Sequence, residues 1–81
     1  MLDIEMKDLI ATVARMLVDE PERVITTEIK GQQSSVIELK VASEDVGKII
    51  GRQGRTAQAL RCILMAASAK LKKRCTLEIL D

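Results

Sequence analysis

Five consecutive positions near the middle of the chain carry the most legible chemistry: Gly51, Arg52, Gln53, Gly54 and Arg55. Glycine lacks a Cβ and adopts positive φ readily, so Gly51 and Gly54 let the main chain bend sharply and come close to a ligand, with Arg52 and Gln53 at the tip. A helix starting near Arg55 and Thr56 turns its unpaired N–H groups and the positive end of its dipole toward the same point, which favours an anion there. Arg55 adds a full charge. These residue types in this order suit the capture of phosphate. A G-x-x-G run also describes a plain helix-to-helix turn, but such a turn has no need of the basic residues that flank this one. The G-K-[ST] ending of a Walker loop and the G-x-G-x-x-G of a dinucleotide fold are both missing.

The elements that must position this loop follow from periodicity. From Leu2 to Val18, apolar residues at Leu2, Met6, Leu9, Ile10, Val13 and Leu17 mark one stripe of an amphipathic helix, stopped by Pro21. Arg23 to Lys30 alternates, with Ile25, Thr27 and Ile29 on one side. Ser35 to Val41 repeats the pattern with Ile37, Leu39 and Val41 inward, and Gly31-Gln32-Gln33-Ser34 joins the two strands as a hairpin. Ser43 is placed to cap a short helix with Glu44 and Asp45 in its first turn, ending at the glycine loop. A third helix spans about Arg55 to Lys72, its negative end suited to Lys70, Lys72 and Lys73. Arg74 to Leu80 supplies a last strand with Cys75, Leu77 and Ile79 inward, leaving one sheet face covered and the other wet. The two-helix connection is long enough to make the second and third strands parallel.

An 81-residue chain has room for one domain, residues 1–81, with a modest core and no large enzyme cleft. Aromatic residues make up 0% of it, so the core is aliphatic and base stacking on Phe, Tyr or Trp is excluded. A net charge of +1 hides a division: residues 1–46 hold 5 basic and 10 acidic side chains, residues 47–81 hold 8 and 2, and the basic part contains the glycine loop. With no histidine and only Cys62 and Cys75, the usual zinc patterns are excluded and no disulfide framework is supported; buried or half-buried reduced thiols are expected, and no metal or cofactor. No basic leader and no long apolar run is present, which points to the cytoplasm and away from a membrane. No His and no nucleophile elbow argue against an enzyme.

Ile50-Gly51-Arg52-Gln53-Gly54 between two helices resembles the signature of the KH (K homology) domain. The whole chain, and above all Val46 to Ala59, is similar to the small bacterial single-KH RNA-binding proteins of the KhpA type. The resemblance implies an α+β, type II KH fold in the order α-β-β-α-α-β, with a three-stranded mixed sheet and three helices on one face. It also implies that about four unpaired nucleotides lie in a groove between the glycine loop and the hairpin loop. Gly51, Arg52, Gln53, Gly54 and Arg55 would then hold the backbone and Lys48 add charge. Val46, Ile49 and Ile50 fit either the apolar wall under the bases or the core. The commoner motif has Lys and Gly where this chain has Arg52 and Gln53. Members of the family are associated with RNA chaperoning and with control of cell shape and division, often beside a second KH protein.

The third helix is too apolar for a surface helix. Leu60, Ile63, Leu64, Ala67 and Leu71 form one stripe, enough to cover the sheet, yet Cys62, Met65, Ala66 and Ala69 lie opposite beside Gln58 and Arg61. A homodimer through that second face is the expectation, with another KH protein as an exchangeable partner. The competing readings are a protein-interaction module in which RNA binding is secondary, and a binder of single-stranded DNA.

Overall fold

A computed structural model describes residues 5–80. Helix α1 (Met6–Leu17) leads through a turn at Pro21–Arg23 to strands β1 (Ile25–Lys30) and β2 (Ser34–Lys40). A 3-10 turn at Ser43–Asp45 opens into α2 (Val46–Ile50), a second at Arg52–Gly54 separates it from α3 (Arg55–Lys70), and β3 (Arg74–Ile79) closes the order α-β-β-α-α-β. The sheet order is β1-β2-β3, with β1 antiparallel and β3 parallel to the central β2. This is the expected mixed α+β arrangement. α1 packs on β1 and β2, α3 packs on β3, and α2 packs against both of those helices.

The core is aliphatic throughout. Ile10, Ile37, Leu39, Ile49, Leu60 and Leu64 are the large aliphatic side chains removed almost completely from water, drawn from α1, β2, α2 and α3. β3 turns Cys75 and Leu77 into it, as its alternation predicts. Burial pushes the Cys75 thiol up, and the nearby Glu28 carboxylate adds to the shift. Cys62, expected to be at least half covered, is exposed.

Three readings of the sequence are corrected by packing. In α1 the buried line is Met6, Ile10, Ala11 and Ala14; Leu17 is exposed and Val18, just past the helix, goes inside instead, while Leu2 lies outside the described residues. In β1 the phase is reversed. Register with β2 pairs Thr26 with Leu39 and Glu28 with Ile37 on the covered face, so Ile25, Thr27 and Ile29 stand on the open face opposite Lys40, Glu38 and Val36. Ile25 is 58% and Ile29 52% exposed, while the Thr26 hydroxyl donates to the Lys7 carbonyl of α1 at 3.1 Å. Alternation alone gives two faces but cannot say which is covered; pairing decides. The open face is therefore less polar than expected.

In α3 the buried line is Ala57, Leu60, Leu64 and Ser68, rotated from the expected stripe, so Ile63 and Leu71 are exposed. Ser68 is tolerated inside because its hydroxyl donates to the Met65 carbonyl at 3.1 Å. The helix ends with Lys72 at φ 57, the Lys72 N–H on the Ala69 carbonyl and the Lys73 N–H on the Ser68 carbonyl. This is the Schellman ending, with lysine in the place glycine usually takes.

The reversed phase of β1 makes a direct comparison available. Ile37→Ala should destabilise by about 2–5 kcal/mol, because it empties a closed part of the core. Ile29→Thr should stay within about 0.5 kcal/mol of wild type. Urea unfolding of both variants checks it; equal losses would restore the sequence-based phase.

Candidate nucleic-acid interface

The glycine loop sits where α2 hands over to α3, and α2 is only five residues long. A helix that short does not hold its own shape in water, so its position depends on what it is tied to. One tie is Ile49, fully inside the core. The other is Asp45, at the helix entrance and only 1% exposed, whose Oδ2 accepts the Glu20 N–H at 3.0 Å and whose Oδ1 lies 3.4 Å from the Lys48 Nζ. Lys48 also reaches Asp19 Oδ2 at 3.1 Å. Burial opposes the charged form of Asp45, but backbone N–H groups of Glu20 and Asp19 and the Lys48 ammonium outweigh it and hold the carboxyl below its ordinary value. The hydrogen bond to Asp19, then that to Asp45, pushes the Lys48 ammonium up. Ser43 does not cap this segment; its hydroxyl donates to Glu44 Oε1 at 2.7 Å.

The loop itself has the conformation its glycines allow. Gly51 lies at φ 77, ψ 173 and Gly54 at φ 75, ψ 12. A Cβ on Gly51 would run into the Thr56 side chain, 2.6 Å from its Cβ, and would lie 2.8 Å from the Thr56 amide nitrogen; a Cβ on Gly54 would meet nothing within 4 Å. Gly51 is thus required by contact with α3 as well as by φ, Gly54 by φ alone. Gln53 also sits at φ 59, ψ 24, the left-handed region, which costs a residue with a Cβ about 1–2 kcal/mol. That is the position where the commoner motif has glycine. The Gly54 N–H closes the turn on the Gly51 carbonyl at 3.1 Å.

The geometry presents positive potential outward. The N-cap of α3 is Gly54 and no side chain caps that helix end; the Arg55 N–H closes on the Arg52 carbonyl, and the positive end of a sixteen-residue helix faces the loop. Arg52, Gln53 and Arg55 are exposed, and neither arginine joins an ion pair among the described residues. An anion beside this loop would meet backbone N–H groups, a helix dipole and two guanidinium groups that no carboxylate among the described residues pairs.

The structure sorts the sequence candidates. Gly51 to Arg55 come together at one exposed corner, with Ile50 partly exposed and Val46 half-buried against the core beside them. Ile49 is a core residue behind the loop and cannot wall a groove. Lys48 is committed to two aspartates, so its charge is already neutralised locally. The role of Asp45 was missed; its i,i+3 spacing to Lys48 was the available signal. The two loops proposed to border the groove lie at opposite ends of β2, and α3, about 24 Å long at 1.5 Å per residue, runs back between them. Gln58, Arg61, Cys62, Met65, Ala66 and Ala69 are all exposed. Ile63, 43% exposed, extends that surface toward Val13 and Leu17 of α1, with which it lines a shallow apolar groove.

A family model for the KhpA/KhpB KH domain matches residues 7–79. The chain is 55% identical to RNA-binding protein KhpA of Caldanaerobacter subterraneus subsp. tengcongensis, over 93% of this chain and 100% of that protein. It is 51% identical to RNA-binding protein KhpA of Clostridium acetobutylicum, over 93% and 100%. For RNA-binding protein KhpA of Aquifex aeolicus the identity is 49%, over 94% and 96%. Among solved structures, an Aquifex aeolicus Era variant bound to GDP.AlF4- superposes with a TM-score of 0.63 at 20% identity, over 91% of this chain and 29% of that one, a likeness of fold.

The depressed Asp45 carboxyl fixes the sign of a pH effect. Its contribution to stability is present above the ordinary carboxylate value near pH 4 and is lost as pH falls through the lower folded-state value. Asp45→Asn should therefore be less stable than wild type at neutral pH, with the gap closing below about pH 4. Melting temperatures across pH 2–7 check this; parallel curves would remove Asp45 from its anchoring role.

Proposed function

The chain belongs to the KhpA/KhpB KH-domain family, and from that premise we propose that it binds single-stranded RNA by clamping the backbone at Gly51–Arg55. The observation that carries the reading is the α3 N-terminus, without a side-chain cap, under a positive-φ loop, with Arg52 and Arg55 beside it in no ion pair among the described residues. Phosphate would be held by loop amides, the helix end and the two guanidinium groups, while Ile50 and Val46 offer aliphatic surface to the bases. Without aromatic side chains for stacking, each contact is weak and sequence-tolerant. Modest, reversible binding of short unpaired segments is the property an RNA chaperone or post-transcriptional regulator acting in the cytoplasm requires. Catalysis has no part in it.

A single-stranded RNA tetranucleotide should bind with a log K against log salt slope of about −2 to −3, as three or four phosphate contacts give. Arg52→Asp with Gln53→Asp should abolish binding and keep the fold, and duplex RNA should compete poorly because paired bases cannot splay into a groove. Fluorescence anisotropy with a melting curve reads all three. Unchanged binding by the folded double variant would remove the clamp, and equal affinity for single-stranded DNA would broaden the ligand class.

The exposed side of α3 supports a second element of the reading, a homodimer. Met65, Ile63, Cys62, Ala66 and Ala69 form an uncovered apolar surface, flanked by Gln58 and Arg61, and its small residues allow close helix approach. Pairing would put two clamps on one particle and raise avidity for longer RNA; a related KH protein could take the place of the second copy. Light scattering at tens of micromolar should give a dimer for wild type and a monomer for Met65→Glu with Ala69→Glu. A monomeric wild type, or a dimeric variant, would overturn this interface.

A further inference from the structure

From the far end of α3 we infer that the protein has a second phosphate-binding site, a basic pocket between the α3–β3 turn and the hairpin loop, which holds the same RNA strand beyond the segment clamped at Gly51–Arg55. The inference rests on the proposed RNA-binding function. Its pocket is lined by Gln33, Ser34, Lys72, Lys73 and Arg74, and it widens onto Lys30, with Glu28 the one carboxylate at its margin. Lys30, Lys72, Lys73 and Arg74 form no ion pair among the described residues. Like charges gathered this closely repel one another, and an anion with several oxygens relieves them.

Capping of α3 does not account for the cluster. The Ala69 and Ser68 carbonyls near the helix end are met by the main-chain N–H groups of Lys72 and Lys73, so their side chains are not needed there. Lys72 also occupies a φ of 57, where glycine is the relaxed choice, which keeps a cation at the pocket rim in a place that backbone preference alone would leave bare.

The path between the two sites is cleared of negative charge. From Val46 to Leu77 the sequence has eight basic residues and no acidic one. α3 spans the distance, from Arg55 beside the glycine loop to Lys70, just before the turn that carries Lys72 and Lys73. With α3 about 24 Å long, a strand advancing about 3.4 Å per phosphate needs roughly seven nucleotides to reach across, and fewer if stretched. A four-nucleotide ligand can therefore occupy the clamp without touching the pocket.

Oligouridines of four and twelve nucleotides separate the sites. In a variant carrying Lys72→Gln, Lys73→Gln and Arg74→Gln, the tetramer should bind within twofold of wild type. The twelve-mer should bind roughly tenfold more weakly, with a salt slope shallower by about 2, as the loss of three phosphate contacts to a single strand gives. A control with the same charge change elsewhere, Arg15→Gln, Arg23→Gln and Lys40→Gln, should bind the twelve-mer as wild type does. Inorganic tripolyphosphate should shift the amide resonances of residues 72–74 both in wild type and in the Arg52→Asp, Gln53→Asp variant, since the pocket does not need the loop. Unmoved amides, a pocket variant that binds the twelve-mer like wild type, or a control that loses as much, would overturn the second site. Failure of the clamp reading shows differently, as wild-type tetramer binding by the glycine-loop variant.

Discussion

A five-residue helix cannot fix its own direction, yet the glycine loop is aimed by one. What fixes α2 is the buried Asp45 carboxylate together with Ile49. Asp45 reaches back across the fold to the Glu20 amide and forward to Lys48, so the segment after α1 and the entrance to α2 share one acceptor. Ile49 anchors the other end of the helix in the aliphatic core. Between those two ties only a small range of α2 positions is open, and the loop, the Thr56 contact behind Gly51 and the start of α3 inherit that precision. A charge is expensive to bury, and here it is kept because every partner it meets is a donor.

The loop works by arrangement of the main chain more than by side chains. Gly51, Gln53 and Gly54 all lie at positive φ, which turns consecutive peptide units through directions that an ordinary turn does not sample. Since the chain lacks aromatic residues, sequence readout by stacking is closed to it, and the polarity of the site comes from amides, a helix end and arginine. Lys48, although inside the motif, belongs to the scaffold and not to the rim, because Asp19 and Asp45 occupy its ammonium.

Much of this was legible before any coordinates. The G-x-x-G run, the helical spacing of α1, the hairpin and the parallel return of β3 are local signals, each with a turn residue or a period to carry it. What was hidden depends on pairing in three dimensions. Thr26 and Glu28 are on the covered face only because they register with Leu39 and Ile37, and no window of β1 alone contains that information. The rotation of α3 that buries Ser68 and exposes Ile63 is set by how the helix lies on β3, and a serine inside looks wrong until its bond to Met65 is seen. Asp45 looked like a helix-start acid in water because nothing near it in sequence announces the Glu20 amide.

The parallel pairing of β2 with β3 has a consequence for how the molecule comes into being. Neighbours in the sheet are separated in the chain by α2 and α3, so during synthesis the central strand stands with one hydrogen-bonding side bare while both helices are made. α1 and the hairpin can gather early, since their contacts are close in sequence. The helices have no finished platform until residues 74–79 arrive, and α3 then settles on a strand made after it. Closing that long loop is the slow, entropically costly event of folding, and until it happens Ile37 and Leu39 sit beside an edge that any extended chain nearby could join.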